Sequence, residues 1–172
     1  CNDFVEADLL EMDYTACVCL DHMSADEARH LEHELELAQD VQKTLLPQQL
    51  PEIPGVEIAA FSRPAQIVGG DYFDFFRYEN GTHGLAIADV AGHGVSSALL
   101  MASARAFLRQ RASLSGTLTD IVGDVNCQLS RDVAASGQFM TLFVLLIDPD
   151  QGRIEWVRAG HPVLRADSGL GA

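Results

Sequence analysis

Residues 68–76 read VGGDYFDFF, in which two glycines precede two acids set among four aromatic side chains. Aromatic residues favour a strand, and alternate side chains of a strand point to the same face. Asp71 therefore shares a face with Phe73 and Phe75, whereas Asp74 points to the opposite face. An unpaired buried carboxylate is costly, so each acid needs a donor or a positive partner. Backbone amides at a turn and a bound cation are the two alternatives that this stretch leaves open.

A hairpin follows this stretch. The residues ENGT at 79–82 contain an Asn-Gly pair, which is a strong signal for a tight turn between two strands. The pattern predicts that a strand at 72–78 pairs antiparallel with a strand at 83–89, HGLAIAD. About seven to eight residues separate each acid from the turn, so we expect Asp89 to lie near the level of Asp71.

Two carboxylates at one end of an antiparallel pair suggest a cation site. Asp71 and Asp89 would repel each other there unless a positive ion lay between them. Ligation by oxygen atoms alone suits Mg²⁺ or Mn²⁺. Gly70 favours a close backbone approach or a bulge beside Asp71, and Gly92 and Gly94 would let backbone carbonyls or a water approach the ion.

The rest of the chain predicts an α+β fold with a mostly antiparallel sheet and helices packed together on one face. A capping box of Ser24 and Glu27 begins the first helix, and Pro47 ends it. Residues 1–22 are predicted to end in a strand. Further strands are predicted at 56–61, 138–148 and 153–160, and further helices at 96–112 and 117–133.

The two later helices carry different surface patterns. In the helix at 96–112 we expect the small side chains to lie against the sheet; these are Ala98, Ala102 and Ala106. The helix at 117–133 has an apolar face with helical spacing, formed by Leu118, Ile121, Val122, Val125 and Leu129.

The first helix has a seam with alternating steps of three and four residues, namely Ala28, Leu31, Leu35, Ala38, Gln42 and Leu45. Such a seam is typical of a coiled coil, and it predicts a homodimer through residues 24–46. The seam spans under three heptads, so a single amphipathic helix packed on its own domain is an equal alternative.

Composition excludes some classes of function. The formal charge of −14 argues against nucleic-acid binding through a basic face and against binding to anionic membranes. Residues 1–50 hold 12 acids and 2 bases, so the acidity belongs mainly to the front segment. No apolar run reaches the roughly 20 residues of a membrane helix, no signal peptide is visible, and the four cysteines lack zinc spacing. We therefore expect a cytoplasmic protein with reduced cysteines.

Four motifs in order carry a family resemblance: VGGDYFDFF, IADVAGHGVSSALLMA, MTLFVLLID and VRAGHP. Together with the helical lead-in ELELAQDVQKTLLP, they span roughly residues 34–166. The chain resembles the SpoIIE-type branch of the metal-dependent (PPM, type 2C) serine/threonine protein phosphatases. The lead-in is similar to the helix that joins sensor and catalytic domains in that family.

The resemblance implies a β-sandwich flanked by helices, with Mn²⁺ or Mg²⁺ at its mouth. It implies hydrolysis of phosphoserine or phosphothreonine on a regulatory protein, typically an anti-anti-sigma factor. Metal-activated water would be the nucleophile, with no nucleophilic side chain. Asp71 and Asp89 match metal ligands, Asp89 bridging two ions, and the backbone carbonyl of Val90 adds another ligand. The residues themselves suggest further supporting positions. Gly70, Gly92 and Asp74 are among them, and strand parity leaves the role of Asp74 open. Arg63 is either a phosphate contact or a surface arginine, and His93 and His161 are expected to be structural hydrogen-bonding histidines near the site.

The resemblance also divides the chain. Residues 1–22 would be the tail of an upstream sensor domain, 23–47 a linker helix, and 48–172 a phosphatase domain that is truncated at its C-terminus. The family's later acids, which complete the second metal's shell, have no match in the final VLRADSGLGA. We expect the chain to hold one ion weakly. A catalytically degenerate module that binds or dimerises remains the alternative.

Overall fold

The computed structural model describes residues 23–62, 67–78 and 81–162. The strand predicted at the end of residues 1–22 lies outside them, as does Arg63. The elements in order are α1 (Ala25–Leu45), β1 (Tyr72–Arg77), β2 (His83–Val90), α2 (Gly94–Ala112), α3 (Leu118–Asp132), β3 (Met140–Asp148) and β4 (Arg153–Ala159).

The four strands form one sheet in the order β1-β2-β3-β4, and each neighbouring pair is antiparallel. The tight turn between β1 and β2 is closed by the Tyr78 amide, which donates to the Thr82 carbonyl at 2.9 Å. Gly81 has a φ of 86°, a backbone conformation that a residue with a Cβ rarely adopts. The predicted hairpin and the α+β class are therefore confirmed.

One face of the sheet packs against α2 and α3. The core between them joins Tyr72, Ala86 and Ala88 of the first two strands with Leu142 and Val144 of β3. All members of the apolar face predicted for α3 are buried in this core: Leu118, Ile121, Val122, Val125 and Leu129. Helix α3 begins at a capping box in which the Thr117 hydroxyl accepts from the Asp120 amide.

Helix α2 turns a different face to the sheet from the predicted one. Its buried residues are Ser97, Leu100, Met101, Ala104, Leu108 and Ala112, while Ala106 is exposed and Ala98 and Ala102 are only partly buried. The prediction that the alanines at 98, 102 and 106 lie against the sheet was therefore wrong. Leu100, Met101 and Leu108 bury much more apolar surface than three methyl groups would, and that gain decides the rotation of the helix.

The strand predicted at 56–61 was also wrong, because this segment contributes only an isolated bridge between Ile53 and Val56. Residues 58–62 instead line a cavity opposite the outer face of β1 and β2. A strand needs a hydrogen-bonded neighbour, and the sheet in the described part of the chain lies across this cavity rather than beside the segment. The apolar alternation is present, but among the described residues no strand lies alongside to pair with it.

Helix α1 starts as predicted, with the Ser24 hydroxyl accepting from the Glu27 amide at 3.2 Å. At its other end the Leu45 carbonyl accepts from Arg105 Nε of α2 at 2.6 Å. Leu35 is buried, whereas Leu37 and Val41 are about half exposed. Within the described residues, no helix is sufficiently long and apolar to cross a bilayer.

Candidate metal centre

Asp71 and Asp89 come together at one end of the β1–β2 pair. Tyr72 is the register partner of Ala88, so continuing the register by one residue places Asp71 opposite Asp89. Both residues are exposed, and both line the same two cavities. The alternation of β1 and the length of the hairpin thus produce the juxtaposition that the sequence predicted.

The backbone is tightly packed at this end of the strands. The Val90 amide donates to the Gly70 carbonyl at 3.4 Å. A Cβ added at Gly70 would lie 2.8 Å from the Cβ of Val90 and 2.9 Å from its carbonyl oxygen, so only glycine fits there. The Val90 carbonyl therefore lies close to the segment that carries Asp71. Gly92, with a φ of 101°, then turns the chain towards α2.

The two cavities differ in their walls. A cavity of about 280 Å³ is bounded by α1 on one side and by Asp71, Asp89 and the loop containing Gly92 and His93 on the other. A second cavity, of about 480 Å³, lies on the outer face of β1 and β2, and His161 is one of the residues that line it. The two acids lie where the cavities meet, open to solvent on both sides.

His161 is held in place by its neighbours at the end of β4. Its Nδ1 lies 2.9 Å from Thr141 Oγ1, and the Thr141 hydroxyl donates its proton to the backbone carbonyl of Asp89 at 3.4 Å. The imidazole is thus linked through one hydroxyl to the strand end that carries Asp89. His93 precedes α2 as its N-cap residue and lines the smaller cavity.

Asp74 lies on the other face of β1, and its side chain is fully buried. It accepts hydrogen bonds from the Tyr72 hydroxyl at 2.8 Å and from Arg109 of α2, through Nε at 2.5 Å and a terminal nitrogen at 2.6 Å. The hydrogen bond to Asp74 raises the pKa of Arg109, and burial raises the pKa of Tyr72. The positive charge that Asp74 requires is therefore a guanidinium, and this acid lines neither cavity.

The centre so far comprises two carboxylates and one nearby backbone carbonyl. In the part of the chain that the structure describes, no group of three or more His, Cys, Asp or Glu side chains is arranged to hold a metal ion. Two residues at the site were missed by sequence reasoning: Gln42 of α1, which lines the smaller cavity, and Thr141. Gln42 could have been found as the polar exception in an otherwise apolar seam; Thr141 had no such signal.

Comparison with known protein families assigns the chain to one of them. The model of the family described as Stage II sporulation protein E (SpoIIE) matches residues 79–167, more than half of the chain. The chain belongs to the SpoIIE family. The resemblance drawn from four motifs is thereby confirmed, and the motifs IADVAGHGVSSALLMA, MTLFVLLID and VRAGHP lie inside the matched residues of this SpoIIE domain.

Relatives of this SpoIIE chain include two Bacillus subtilis proteins. It is 29% identical over 133 residues to "Phosphoserine phosphatase RsbU", an alignment that covers 77% of the chain and 39% of RsbU. It is 27% identical over 132 residues to "Phosphoserine phosphatase RsbP", covering 75% of the chain and 32% of RsbP. The chain thus spans well under half the length of these relatives.

Solved structures with a similar fold include the RsbU and RsbW domains of Rv1364c from Mycobacterium tuberculosis. The match has a TM-score of 0.50 and 30% identity, and covers 57% of this chain and 27% of that one. The SiaA-PP2C domain of Pseudomonas aeruginosa matches with a TM-score of 0.62 and 21% identity, over 80% of this chain and 56% of that one. The second likeness shows the fold: the SpoIIE chain shares the architecture of a PP2C domain.

Proposed function

We propose that this chain is the catalytic part of a bacterial signalling phosphatase that removes phosphate from serine or threonine of a regulatory protein of the anti-anti-sigma class. The observation that carries the proposal is the placement of Asp71 and Asp89 at one end of an antiparallel pair, at the meeting point of two cavities. The names of RsbU and RsbP, both phosphoserine phosphatases, support the reaction class.

The chemistry of the donors fits a divalent cation. Two exposed carboxylates and the nearby Val90 carbonyl are hard oxygen ligands, the kind that Mg²⁺ and Mn²⁺ prefer. A phosphate brought to this place without a cation would meet two negative side chains in a chain of net charge −14. Asp71, Asp89 and the Val90 carbonyl would therefore hold the ion. Once bound, a divalent cation supplies charge neutralisation for phosphoryl oxygens and activates water as the nucleophile.

The protein's own residues position the two acids and orient the groups around the bound phosphate. Gly70 lets the two strand ends approach, and this fixes the separation of the acids. The start of α2 opens beside the smaller cavity, and the positive end of the helix dipole favours an anion there. His161 is oriented by Thr141 beside the second cavity, where its other ring nitrogen, when protonated, would donate a proton to the departing serine or threonine oxygen. Two further points stay predictions: the supporting roles of Gly92, His93 and Arg63, and the choice between Mn²⁺ and Mg²⁺.

The test is phosphate release from phosphoserine, phosphothreonine and phosphotyrosine peptides by residues 1–172. We expect release from the first two peptides, dependent on added Mn²⁺ or Mg²⁺ and abolished by EDTA, since the two acids cannot accept a phosphate without an ion. Release that is unchanged in EDTA, or a preference for phosphotyrosine, would contradict the proposal.

A degenerate binding module is the second candidate. It is favoured by the count of acidic ligands, since the described residues bring together only a pair of carboxylates. In the same assay this module would bind the phosphoserine peptide and release no phosphate. Cytoplasmic localisation stays a prediction in either case.

The homodimer through residues 24–46 also stays a prediction, and two features of α1 bear on it. Two positions of the predicted seam face the chain's own domain: Gln42 bonds to the loop before β1, and the Leu45 carbonyl bonds to α2. The large exposed apolar side chains of α1 are Leu37 and Val41, which lie outside the seam, whereas the small seam residues Ala28 and Ala38 are exposed. The C-terminal half of α1 therefore behaves as a helix packed on its own domain.

A further inference from the structure

The side chain of Gln42 in α1 makes a pair of hydrogen bonds to one residue of the loop before β1. Its Nε2 donates to the Gly69 carbonyl at 2.6 Å, and its Oε1 accepts from the Gly69 amide at 3.1 Å. The carboxamide thus satisfies both backbone polar groups of Gly69, as a neighbouring strand would. The two residues are 27 positions apart in the chain, so the contact joins two separate elements.

Gly69 is directly attached to the candidate metal centre. The next residue, Gly70, is held on its other side by Val90, whose amide donates to the Gly70 carbonyl and whose Cβ leaves no room for a side chain. Asp71 follows immediately. The segment 69–71 is therefore fixed between α1 and the end of β2, and the Gln42 side chain makes the contact from α1.

The position of Gln42 depends in turn on the end of α1. One turn after Gln42, the Leu45 carbonyl accepts from Arg105 of α2, and Leu46 packs against the core. Gln39 and Lys43 of the same helix line the cavity that Asp71 and Asp89 also line. The last turns of α1 are thus a wall of the site, although the sequence placed them in a linker.

We propose that Gln42 is a positioning residue, whose carboxamide holds Gly69 so that Asp71 stands in the place required to share a cation with Asp89. This inference rests on the proposed metal site. Both halves of the amide are needed: a Glu at 42 would set a carboxylate oxygen against the Gly69 carbonyl, and a Met would offer neither donor nor acceptor. The side chain of Asn is one methylene shorter than that of Gln and would not reach Gly69.

The experiment compares Gln42→Met with Gln110→Met in the chain of residues 1–172. Both substitutions remove a carboxamide from a helix and keep a good helix former, but Gln110 of α2 is exposed and lines neither cavity of the metal centre. The first measurement, without metal, is amide hydrogen exchange at Gly69, Gly70 and Asp71. The second is calorimetric titration with Mn²⁺. Gln42→Asn, which keeps a carboxamide but is too short to reach Gly69, is the second variant should Gln42→Met fail to fold.

We expect Gln42→Met to speed exchange at Gly69 by about tenfold or more and to weaken Mn²⁺ binding by about tenfold, since two hydrogen bonds are lost. Gln110→Met should change neither by more than about twofold, within the ordinary range for surface substitutions. Unchanged exchange at Gly69, or faster exchange with unchanged Mn²⁺ affinity, would overturn the inference. If the wild type bound no Mn²⁺, the proposed function would fail, and the exchange data alone would decide whether Gln42 holds Gly69.

Discussion

Replacing Asp89 with Asn should reduce metal-dependent phosphate release by more than about a hundredfold, because loss of a group that merely supports a metal ligand already costs 10- to 100-fold. Asn keeps the size of the side chain and removes the negative charge that the cation needs. Asp89 is exposed at the end of β2, so the substitution leaves no cavity and no buried unpaired group. The folded state should therefore persist, with an unchanged circular dichroism spectrum and unfolding midpoint.

The matched control for this prediction is Asp132→Asn. Asp132 is the last residue of α3, is likewise exposed, and accepts a hydrogen bond from Gln128 of the same helix. The control removes the same charge from the chain at a place away from both cavities, so its turnover should match the wild type. Equal turnover in Asp89→Asn and Asp132→Asn would remove Asp89 from the catalytic site.

Replacing Arg109 with Met should lower the free energy of unfolding by about 3 kcal/mol, the low end of the cost of breaking a buried ion pair. The low end applies because the Arg109 side chain is 43% exposed, whereas Asp74 is fully buried. Met fills similar space and keeps the helix, but among the described residues it leaves the Asp74 carboxylate with the Tyr72 hydroxyl and the Phe75 amide as its donors. Urea unfolding at neutral pH measures the difference.

A second variant separates the ion pair from simple loss of packing. Adding Asp74→Asn to Arg109→Met removes the uncompensated charge, so the double variant should recover part of the lost stability. Replacing the exposed Arg131 of α3 with Met should change the free energy of unfolding by less than about 0.5 kcal/mol. A double variant less stable than Arg109→Met alone would contradict the account of Asp74.

The sequence was sufficient to predict those parts of the fold whose geometry is set by local patterns. The alternation in VGGDYFDFF and the Asn-Gly turn fixed the faces of β1 and its register with β2, and from these the pairing of Asp71 with Asp89 followed. The spacing of the apolar residues in α3 likewise gave its buried face. These features depend on periods of two and 3.6 residues and on turn chemistry, all of which lie within about 20 consecutive residues.

Features that join distant segments were not predictable in the same way. Arg109 reaches Asp74 across 35 positions and Gln42 reaches Gly69 across 27, and neither has a sequence pattern that specifies its partner. The rotation of α2 and the unpaired path of residues 56–61 are set by which surfaces meet in three dimensions. In each case tertiary packing, rather than local preference, decided the outcome.

The most direct measurement is a calorimetric titration of Mn²⁺ into residues 1–172, into Asp71→Asn and Asp89→Asn singly, and into Asp132→Asn. If the acids at the ends of the two strands share one ion, the wild type and Asp132→Asn bind one Mn²⁺ per chain, and each of the other variants loses it. Wild-type affinity in either Asp71→Asn or Asp89→Asn, or no binding by the wild type, would contradict the shared cation on which the phosphatase proposal depends.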